Sequence, residues 1–586
     1  MATALTQLGK EGKRQAVAAA LGEHHRRRKR AAWDEALNQG WQPFGWAGET
    51  YYELMAIKGP LVYVLKTFNA NAAVSTGADV VRETPLYDLS GAGQTVGVWD
   101  GGSARVSHQE LVGRVFGGDD SEVSGHATHV TGTIAAAGAK ALATGMAPAI
   151  SVETYGFDED LAEVSRVAMS YPGEPNMIQI SNHSYGWIAG WDYTGFVPMW
   201  VGTWGDRESD LFGRYDESAR DWDALCYAAP YFLPFKAAGN DRTDSVPRPG
   251  ELYMYYSAWE GWVFKDYESS SDPLPDGWDL GGYDTLASDA VAKNVVTIGA
   301  IDMPGATTRD VNAVTMTSFS SWGPTDDGRV KPDLVAQGVD LFSPIAASDR
   351  SYDTFSGTSM ATPVACGTAA LLPEFYDRLF PGQVMRGATL KALLIHTADD
   401  VGRPGPDYNF GWGLINAHAA VEHIQAHFDS PGAFKIVEDE VDLTMVERSY
   451  AFAWDANAPI CVTMVWTDPP GPEVEGLDNA TPTLVNDLDL RLIDPEGTVY
   501  EPFVLDPSKP AEPAEVGDNT RDNVEQVRLD TPQVAGVYEV RVTYKETPDF
   551  KLQGFSLLVS GQAAPFVTDP NDAAETDSPD MPAESE

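Results

Sequence analysis

A serine in the second half of the chain stands at a junction suited to nucleophilic catalysis. Ser359 lies in residues 356–363, SGTSMATP, directly ahead of the apolar run VACGTAALL at 364–372. The glycine permits a sharp turn, and the small and aliphatic residues predict a buried helix that begins at the serine. Pro363 fits the first turns of such a helix, where N–H groups have no intrahelical partner. The serine hydroxyl would then lie beside free N–H groups that stabilise a developing oxyanion.

Two polar residues upstream supply the base and the orienting acid that such a serine needs. Residues 94–102, QTVGVWDGG, predict a buried strand that ends at Asp100, on the edge where open α/β sheets place their active sites. Residues 125–136, GHATHVTGTIAA, predict a turn into a small-residue helix with His126 near its start. An imidazole takes the serine proton, and a carboxylate fixes the imidazole tautomer. The three side chains therefore predict acyl transfer by a nucleophilic serine.

The order Asp, His, Ser, with each residue inside an extended motif, resembles the subtilisin-like serine peptidases, or subtilases. Residues 235–241, FKAAGND, match another segment of that family. The match implies that Asn240 donates its side-chain amide to the oxyanion, together with the N–H of Ser359. The resemblance implies an α/β fold, with a three-layer αβα catalytic domain around a mostly parallel sheet. It also implies a serine endopeptidase that hydrolyses peptide bonds through an Asp-His-Ser triad and an acyl-enzyme intermediate.

The resemblance extends to the residues that would hold a substrate. Residues 180–186, ISNHSYG, match the family's substrate-binding strand, to which an extended peptide would add by backbone hydrogen bonds. The predicted substrate-binding residues are Ser184, Tyr185, Gly186, Ala237, Ala238 and Gly239. Because several of them are small, we expect an open, mainly apolar first pocket with broad specificity. An ordinary core strand is the alternative. Residues 187–222, aromatic and acidic, predict a surface insertion near the cleft.

Other interpretations of these motifs compete with a serine peptidase. Taken singly, Asp100, His126 and Asn240 also suit a strand-end turn, a helix cap and a left-handed turn. His126 and His129 have a spacing that zinc ligands can have, but the glutamate of the His-Glu-x-x-His pattern is missing. His129 is therefore expected to pack beside the catalytic turn. An inactive relative or a non-catalytic binding protein would keep the fold, although here every catalytic group is present.

The composition restricts the partners. The chain has 586 residues, 43% of them hydrophobic, and a formal net charge of −46. This charge argues against nucleic acid or an anionic membrane as a partner, and no run approaches the roughly 20 apolar residues of a membrane span. Its three cysteines, Cys226, Cys366 and Cys461, give no disulfide framework. We expect a monomer that acts on proteins and peptides without an organic cofactor.

The chain is expected to divide into four parts. Residues 1–68 form an N-terminal extension, interpreted as the remnant of a prosegment, in which 51–68 alternates like a hairpin. Residues 69–430 resemble a subtilase catalytic domain. Short β-prone runs separated by turns predict a jelly roll or β-sandwich at 431–562, followed by an acidic, disordered tail at 563–586. The family resemblance implies an extracellular enzyme, while the lack of a visible signal peptide leaves the cytoplasm as the alternative.

The β region resembles one branch of alkaline subtilases, in which a calcium-binding jelly roll follows the catalytic domain. The similar segments are residues 484–490, LVNDLDL, and 522–527, DNVEQV. Asp487 and Asp489, one residue apart, would point to the same face of a strand, and carboxylate oxygens suit Ca²⁺. These two residues are the predicted ligands of a structural calcium ion. An exposed polar strand face is the alternative.

Overall fold

A computed structural model of the chain describes residues 44–560 with short gaps. The gaps are 48–49, 59–60, 67–68, 158–159, 169–171, 173–176, 194–196, 204, 258–260, 279, 304–308, 431–434, 455–457 and 546–551. The predicted acidic tail at 563–586 lies outside the described residues, as does residue range 1–43 of the predicted N-terminal extension.

The described strands are numbered along the chain. They are β1 (Phe44–Ala47), β2 (Thr50–Lys58), β3 (Leu61–Lys66), β4 (Thr95–Asp100), β5 (Val115–Gly117), β6 (Ser151–Gly156), β7 (Ile180–His183), β8 (Gly190–Asp192), β9 (Met199–Val201), β10 (Leu233–Ala237), β11 (Leu252–Ser257), β12 (Gly261–Asp266), β13 (Val296–Asp302), β14 (Thr315–Met316), β15 (Leu334–Gln337), β16 (Leu341–Pro344), β17 (Tyr352–Phe355), β18 (Ile436–Asp442), β19 (Glu447–Trp454), β20 (Ile460–Trp466), β21 (Leu488–Ile493), β22 (Val499–Tyr500), β23 (Phe503–Val504), β24 (Glu515–Val516), β25 (Val524–Leu529), β26 (Gly536–Tyr544) and β27 (Leu552–Ser560).

The described α-helices are numbered in the same way. They are α1 (Asn69–Thr76), α2 (Ala78–Glu83), α3 (Gly125–Ala135), α4 (Asp160–Ala168), α5 (Glu217–Ala228), α6 (Thr358–Ala369), α7 (Leu371–Leu379), α8 (Gly387–His396) and α9 (Ala417–Asp429).

An eight-stranded sheet carries the residues predicted to do chemistry. Its order is β14-β13-β10-β7-β4-β6-β5, with β15 also paired to β13. The strand pairs are parallel, and β13–β14 is the antiparallel exception. Strands buried on both faces of such a sheet read as continuous apolar runs, which explains the TVGVWD sequence of β4. The predicted α/β class with a mostly parallel sheet is confirmed.

Helices cover both faces of this sheet. Val96 and Val98 of β4 join a core cluster that includes α3 and α6 residues. The neighbouring Trp99 points to the opposite face, where it packs in a second cluster with Val164 of α4 and Trp222 of α5. Asp100 thus ends a strand that is held from both sides, which fixes the position of its carboxylate.

The aromatic insertion after β7 forms a separate small sheet with the order β12-β11-β9-β8. Its core contains Trp191, Trp200 and Tyr253. The insertion was predicted to end at residue 222, but β11 and β12 complete its sheet from further along the chain. It therefore extends to Asp266, with α5 and β10 of the main domain lying between its two halves.

Two four-stranded antiparallel sheets follow the last helix, with orders β18-β27-β20-β25 and β19-β26-β21-β22. Side chains from both sheets share one core, including Met464 and Phe555 from the first and Leu490 and Val540 from the second. The alternating burial of β26 is that of a strand with one face in a core. The predicted β-sandwich architecture is present, whereas the finer jelly-roll topology stays a prediction.

The sandwich contacts the catalytic half through α8, which packs on β20 and β27. A fully buried ion pair also crosses this junction, with Lys293 Nζ 2.5 Å from Asp468 Oδ2. Removing one partner of such a pair leaves an uncompensated buried charge, which is strongly destabilising. The change from helix to antiparallel strands falls between Asp429 and Ile436; the predicted domain boundaries themselves stay predictions.

The N-terminal segment contains the hairpin that alternation predicted. Strands β2 and β3 pair antiparallel, with a bulge between Leu54 and Ala56, and β1 adds to the other edge of β2. The interpretation of this segment as the remnant of a prosegment stays a prediction.

Candidate active site

Asp100 and His126 form a closely bonded pair at the carboxyl edge of the sheet. Asp100 is the last residue of β4 and only 1% exposed. Its carboxylate oxygens lie 2.7 and 2.9 Å from Nδ1 of His126. Because a carboxylate only accepts hydrogen bonds, Nδ1 must carry the proton, which leaves Nε2 as the basic nitrogen. Helix α3 holds the imidazole in place, capped by the Ser124 hydroxyl.

The electrostatics of this pair favour the imidazolium. Burial disfavours the charged ring, but the hydrogen bond and the negative charge of Asp100 outweigh burial, and they raise the pKa of His126 above its usual 6.5. The His126 side chain remains 39% exposed. A base of this kind accepts a proton readily and remains open to a reactant.

Ser359 is the second residue of α6, as the sequence predicted. Gly357 precedes the helix with a φ of +153°, a conformation that L side chains rarely adopt, so this entry turn requires glycine. The Gly357 carbonyl accepts the first turn's hydrogen bonds from Met360 and Ala361. Among the described residues no acceptor bonds the Ser359 N–H, so this donor is available at the helix N-terminus.

The position of Pro363 corrects one expectation. It lies beyond the first turn, where a residue would normally donate to the carbonyl four residues earlier, that of Ser359. The proline cannot donate, and the Ser359 carbonyl instead accepts a hydrogen bond from the Ser184 hydroxyl, at 2.8 Å. Because Pro363 has no N–H, the Ser359 carbonyl is free to accept the Ser184 hydroxyl, and this hydrogen bond joins α6 to the predicted substrate-binding segment.

The hydroxyl of Ser359 also bonds to that strand. Its Oγ donates to the Ser184 carbonyl at 3.0 Å. Within the part of the chain that the structure describes, no hydrogen bond joins Ser359 to His126. The structure thus shows a resting arrangement in which the Ser184 backbone, and not the base, holds the serine hydroxyl.

Asn240 has the orientation that an oxyanion donor requires. Its Oδ1 accepts hydrogen bonds from the N–H of Thr358, at 2.9 Å, and from the Thr358 hydroxyl, at 3.1 Å. With Oδ1 fixed in this way, the amide nitrogen Nδ2 is directed elsewhere as a donor. Nδ2 lies 3.6 Å, and the Ser359 nitrogen 3.7 Å, from the point where a Cβ on Gly357 would lie. The two predicted oxyanion donors therefore flank the same small space.

A cleft of about 530 Å³ opens beside Ser359. The lining residues are Tyr185, Gly186, Trp187, Ile188, Trp191, Asp192, Tyr193, Ala237, Ala238, Gly239, Asn240, Asp241, Asp244, Ala287, Ala290, Thr358 and Ser359. Five of the six predicted substrate-binding residues are in this lining, and Ser184 bonds to Ser359 behind it. Trp187 and its neighbours show that the predicted insertion does border the cleft.

The cleft is less apolar than we expected, because three aspartates line it. Asp192 comes from the insertion, and Asp241 and Asp244 follow Asn240 along the chain. The sequence NDRTD, which begins at Asn240, is a signal that would have indicated Asp241 and Asp244. Asp192 belongs to the insertion predicted to lie near the cleft, but no pattern in the sequence indicates that this residue itself lines it.

The zinc alternative for the two histidines has no geometric support. His129 is fully buried, its Nε2 lies 2.8 Å from the Leu341 carbonyl, and its ring stacks on Phe355. Burial lowers the pKa of His129 to about 3, so the ring is neutral. Asp100 holds Nδ1 of His126. His129 is a packing residue next to the catalytic turn, as predicted.

The predicted calcium ligands are Asp489 of β21 and Asp487, which directly precedes this strand, and both face Lys545. Both already have cationic partners: Lys545 Nζ is 3.2 Å from Asp487 and 3.0 Å from Asp489, and Arg491 is 3.0 Å from Asp489. Lys545 thus lies between the two carboxylates, at the position that a metal ion would take. Because Asp489 is only 7% exposed, the pair is a salt-bridged polar cluster and not the exposed strand face given as the alternative, and its role as a calcium site stays a prediction.

A different acidic cluster, which the sequence did not indicate, has the character of a cation site. Asp284, Asp326 and Asp478 each place a carboxylate oxygen within 4.8 Å of the others. Both Asp326 oxygens are buried without a hydrogen-bond partner among the described residues. Burial, followed by the charges of Asp478 and Asp327, raises the pKa of Asp326 to about 8. The three residues are far apart in the chain, so only the fold brings them together.

Cys226, Cys366 and Cys461 are all free thiols. A search of the described residues finds no helix with the length and apolar character needed to cross a membrane.

Comparison with known proteins identifies the class. A sequence model described as "Subtilase family" matches residues 91–413, more than half of the chain, and the chain belongs to this family. Subtilases are serine-type endopeptidases, and the matched residues contain the Asp100–His126 pair, Asn240 and Ser359.

Several curated relatives are similar over different lengths. Serine protease AprX of Bacillus subtilis (strain 168) is 28% identical over 397 residues, which cover 61% of this chain and 74% of AprX. The serine protease/ABC transporter B family protein tagA of Dictyostelium discoideum is 24% identical over 605 residues, 86% of this chain and 33% of tagA. The chain thus spans about a third of tagA. The C5a peptidase of Streptococcus pyogenes is 42% identical over only 66 residues, 11% of this chain and 6% of that protein.

Proposed function

We propose that this protein is an endopeptidase that cleaves peptide bonds through Asp100, His126 and Ser359. The observations that carry the proposal are the hydrogen-bonded Asp100–His126 pair at the carboxyl edge of the sheet and Ser359, which lines the cleft with a free N–H at the start of its helix. Ser359 Oγ attacks the scissile carbonyl carbon, and Nε2 of His126 accepts its proton. The imidazolium then protonates the leaving amine, giving an acyl-enzyme. Water, activated by His126, hydrolyses this ester and regenerates the serine.

Substrate binding can break the hydrogen bond that holds the Ser359 hydroxyl on the Ser184 carbonyl. An extended peptide that adds beside Ser184 to Gly186 offers backbone N–H groups to that strand. Its N–H competes for the Ser184 carbonyl, which in the resting arrangement accepts the Ser359 hydroxyl. Once displaced, the hydroxyl is free to turn toward His126. Hydrogen bonds at active sites commonly tighten only in the substrate complex.

Asn240 would stabilise the oxyanion together with the N–H of Ser359. For Asn240→Ala we expect kcat to fall about 10²–10³-fold with little change in KM, because this donor acts mainly on the transition state. Steady-state kinetics on a chromogenic peptide measures both constants.

The matched control for this substitution is Asn312→Ala, at an exposed position outside the cleft lining. It should leave kcat unchanged. If kcat for Asn240→Ala were within twofold of wild type and the circular dichroism spectrum were unchanged, Asn240 would not be an oxyanion donor.

Calcium is the proposed structural cation, and the residues that fit it are Asp284, Asp326 and Asp478. Carboxylate oxygens are the ligands that Ca²⁺ prefers, and the Asn479 N–H and the Arg214 charge near Asp326 do not offset burial and the neighbouring carboxylates, so its pKa is raised. A bound cation would neutralise the repulsion among the three charges. Asp478 comes from the segment between β20 and β21, so the ion would also join the sandwich to the catalytic half.

Calcium is therefore expected to raise the Tm of the wild-type protein by a few degrees, through preferential binding to the folded state. Asp326→Asn should abolish this increment, while the calcium-free variant should be at least as stable as wild type because one repulsive charge is gone. Differential scanning calorimetry with EDTA and with CaCl₂ measures both effects.

Asp487→Asn serves as the comparison variant, since it alters the pair predicted from sequence. It should retain the calcium increment. If the calcium-dependent rise in Tm were lost in Asp487→Asn but kept in Asp326→Asn, the calcium site would be at Asp487 and Asp489 and not at Asp326.

A further inference from the structure

The cleft beside Ser359 carries negative charge with no basic residue in its described lining. Asp192, Asp241 and Asp244 line it, and no lysine, arginine or histidine does. Among the described residues, no ion pair is formed by Asp241 or Asp244. Hydrolysis by the triad makes no use of these charges, so they need another explanation.

The carboxylates are held in the wall of the cleft by specific contacts. The Asp241 side chain folds back over Gly239, where its Oδ2 would lie only 2.6 Å from a Cβ, and accepts a hydrogen bond from Ser321 at 3.3 Å. Behind the wall the buried Asp276 accepts the Trp191 N–H at 3.0 Å, and its own N–H donates to the Asp244 carbonyl. These contacts hold the Asp241 carboxylate and the backbone of Asp244 in the wall of the cleft.

The aspartates affect one another's charge. After burial, the charge of Asp244 is the next cause that raises the pKa of Asp241, to about 7. Burial and Asp192 likewise raise the pKa of Asp244 to about 6. A cation placed among these groups would stabilise all of them in the ionised form.

The nearest basic side chains are engaged elsewhere. Arg242 stacks on Trp322 and donates to the carbonyls of Ser320 and Thr317. Lys236 is fully buried beneath the Tyr185 ring and paired with Asp289 at 2.5 Å. Neither one forms an ion pair with Asp241 or Asp244.

A further carboxylate lies behind the wall of the cleft. Asp289 is only 3% exposed, and while its Oδ2 binds Lys236, its Oδ1 has no hydrogen-bond partner among the described residues. This oxygen lies 3.8 Å from where a Cβ on Gly186 would be, and Gly186 lines the cleft. This oxygen adds an unpartnered carboxylate acceptor directly behind Gly186, on the same side of the cleft wall as Lys236.

The spacing and the walls favour an organic cation over a metal ion. In the described part of the chain, the search for three acidic or other metal-ligating side chains within 4.8 Å finds the Asp284 cluster and not the cleft aspartates. The walls also contain exposed apolar surface, with Trp187 66% and Tyr193 44% exposed. Such rings pack against an aliphatic stem and attract a charged head through cation–π contact.

We propose that this cleft selects peptides with arginine or lysine immediately before the scissile bond, with Asp241 and Asp244 as the specificity-determining residues. The inference rests on the proposed endopeptidase function and narrows the broad preference expected from the small residues. Gly186, Ala237 and Ala238 provide the width for a long side chain, and the aspartates provide its counter-charge.

The test compares peptides that differ only in the residue before the scissile bond: arginine, its uncharged isostere citrulline, or leucine. For wild type we expect kcat/KM to be at least about tenfold higher with arginine than with citrulline. For Asp241→Asn/Asp244→Asn this ratio should fall to about threefold or less. Asp429→Asn, an exposed substitution on α9, is the matched control and should keep the wild-type ratio.

A fluorophosphonate probe, which labels the activated serine regardless of peptide sequence, separates the two levels of the proposal. Enzyme that is labelled but shows an arginine-to-citrulline ratio near one would overturn the specificity inference and leave the triad intact. The same conclusion would follow if the double variant, labelled like wild type, kept the full ratio. Neither labelling nor cleavage in the wild type would contradict the endopeptidase function itself, and the inference with it.

Discussion

Replacing Ser359 by alanine is expected to lower kcat by about 10⁶, the scale seen when the nucleophile of a subtilisin triad is removed. The side chain supplies the atom that attacks the carbonyl, and no neighbouring group replaces it. The substitution also removes one hydrogen bond to the Ser184 carbonyl, worth about 1 kcal/mol of stability. Activity should therefore collapse while the fold persists, as measured by peptide hydrolysis and thermal unfolding.

Ser165→Ala, at an exposed position on α4, is the control for this experiment and should retain full activity. A residual rate in Ser359→Ala within tenfold of wild type would mean that another group is the nucleophile. Contaminating host protease is the practical concern at such low rates, so the variant should be assayed after treatment with the fluorophosphonate probe.

Replacing Asp100 by asparagine is expected to lower kcat by about 10⁴. Asparagine keeps the size of the side chain but permits the wrong imidazole tautomer and removes the charge that stabilises the imidazolium. The hydrogen bonds of 2.7 and 2.9 Å to Nδ1 are the contacts that this substitution changes. Steady-state kinetics on the same peptide measures the loss.

The pH dependence distinguishes this electrostatic role from a merely structural one. His126 acts as a base only when unprotonated, so activity rises as pH increases through its pKa. Because Asp100 raises that pKa, the acid limb of kcat/KM in wild type should lie above pH 6.5. Without the carboxylate the pKa falls, and the acid limb should move to lower pH. An acid limb that stays in place would show that Asp100 does not face the imidazole charge.

The catalytic elements could be predicted because each lies in a contiguous motif. Asp100 follows an apolar run that must be a buried strand, and Ser359 follows a glycine that must be a turn. Local sequence defines such elements, and chain order together with family resemblance then brought Asp100, His126 and Ser359 together. The strand over Ile180–His183 was predictable for the same reason, and its role in substrate binding stays a prediction.

The features that were missed depend on contacts between distant parts of the chain. Asp192 reaches the cleft only because the insertion forms its own sheet with β11 and β12. Asp326 and Asp478 come together only where the sandwich meets the catalytic half. The bond from Ser184 to the Ser359 carbonyl depends on where Pro363 falls in α6, which the sequence had placed one turn too early. Periodicity and motif spacing carry no information about contacts between residues that are far apart in the chain.

The predicted calcium ligands show the limit of inferring a binding site from the alternation of side chains along a strand. Asp489 of β21 and Asp487, which directly precedes this strand, both face Lys545. The position of Lys545 depends on how β26 pairs with β21. A strand pattern defines which side chains are neighbours on one strand, but cross-strand partners decide whether their charges remain available.

The most direct test of the triad is to map the site of fluorophosphonate attachment by mass spectrometry of the labelled, digested protein. We predict a single adduct on the peptide that contains Ser359 in wild type, and labelling slowed by orders of magnitude in His126→Ala. An adduct on a different residue, or labelling at the wild-type rate in His126→Ala, would contradict the claim that His126 activates Ser359.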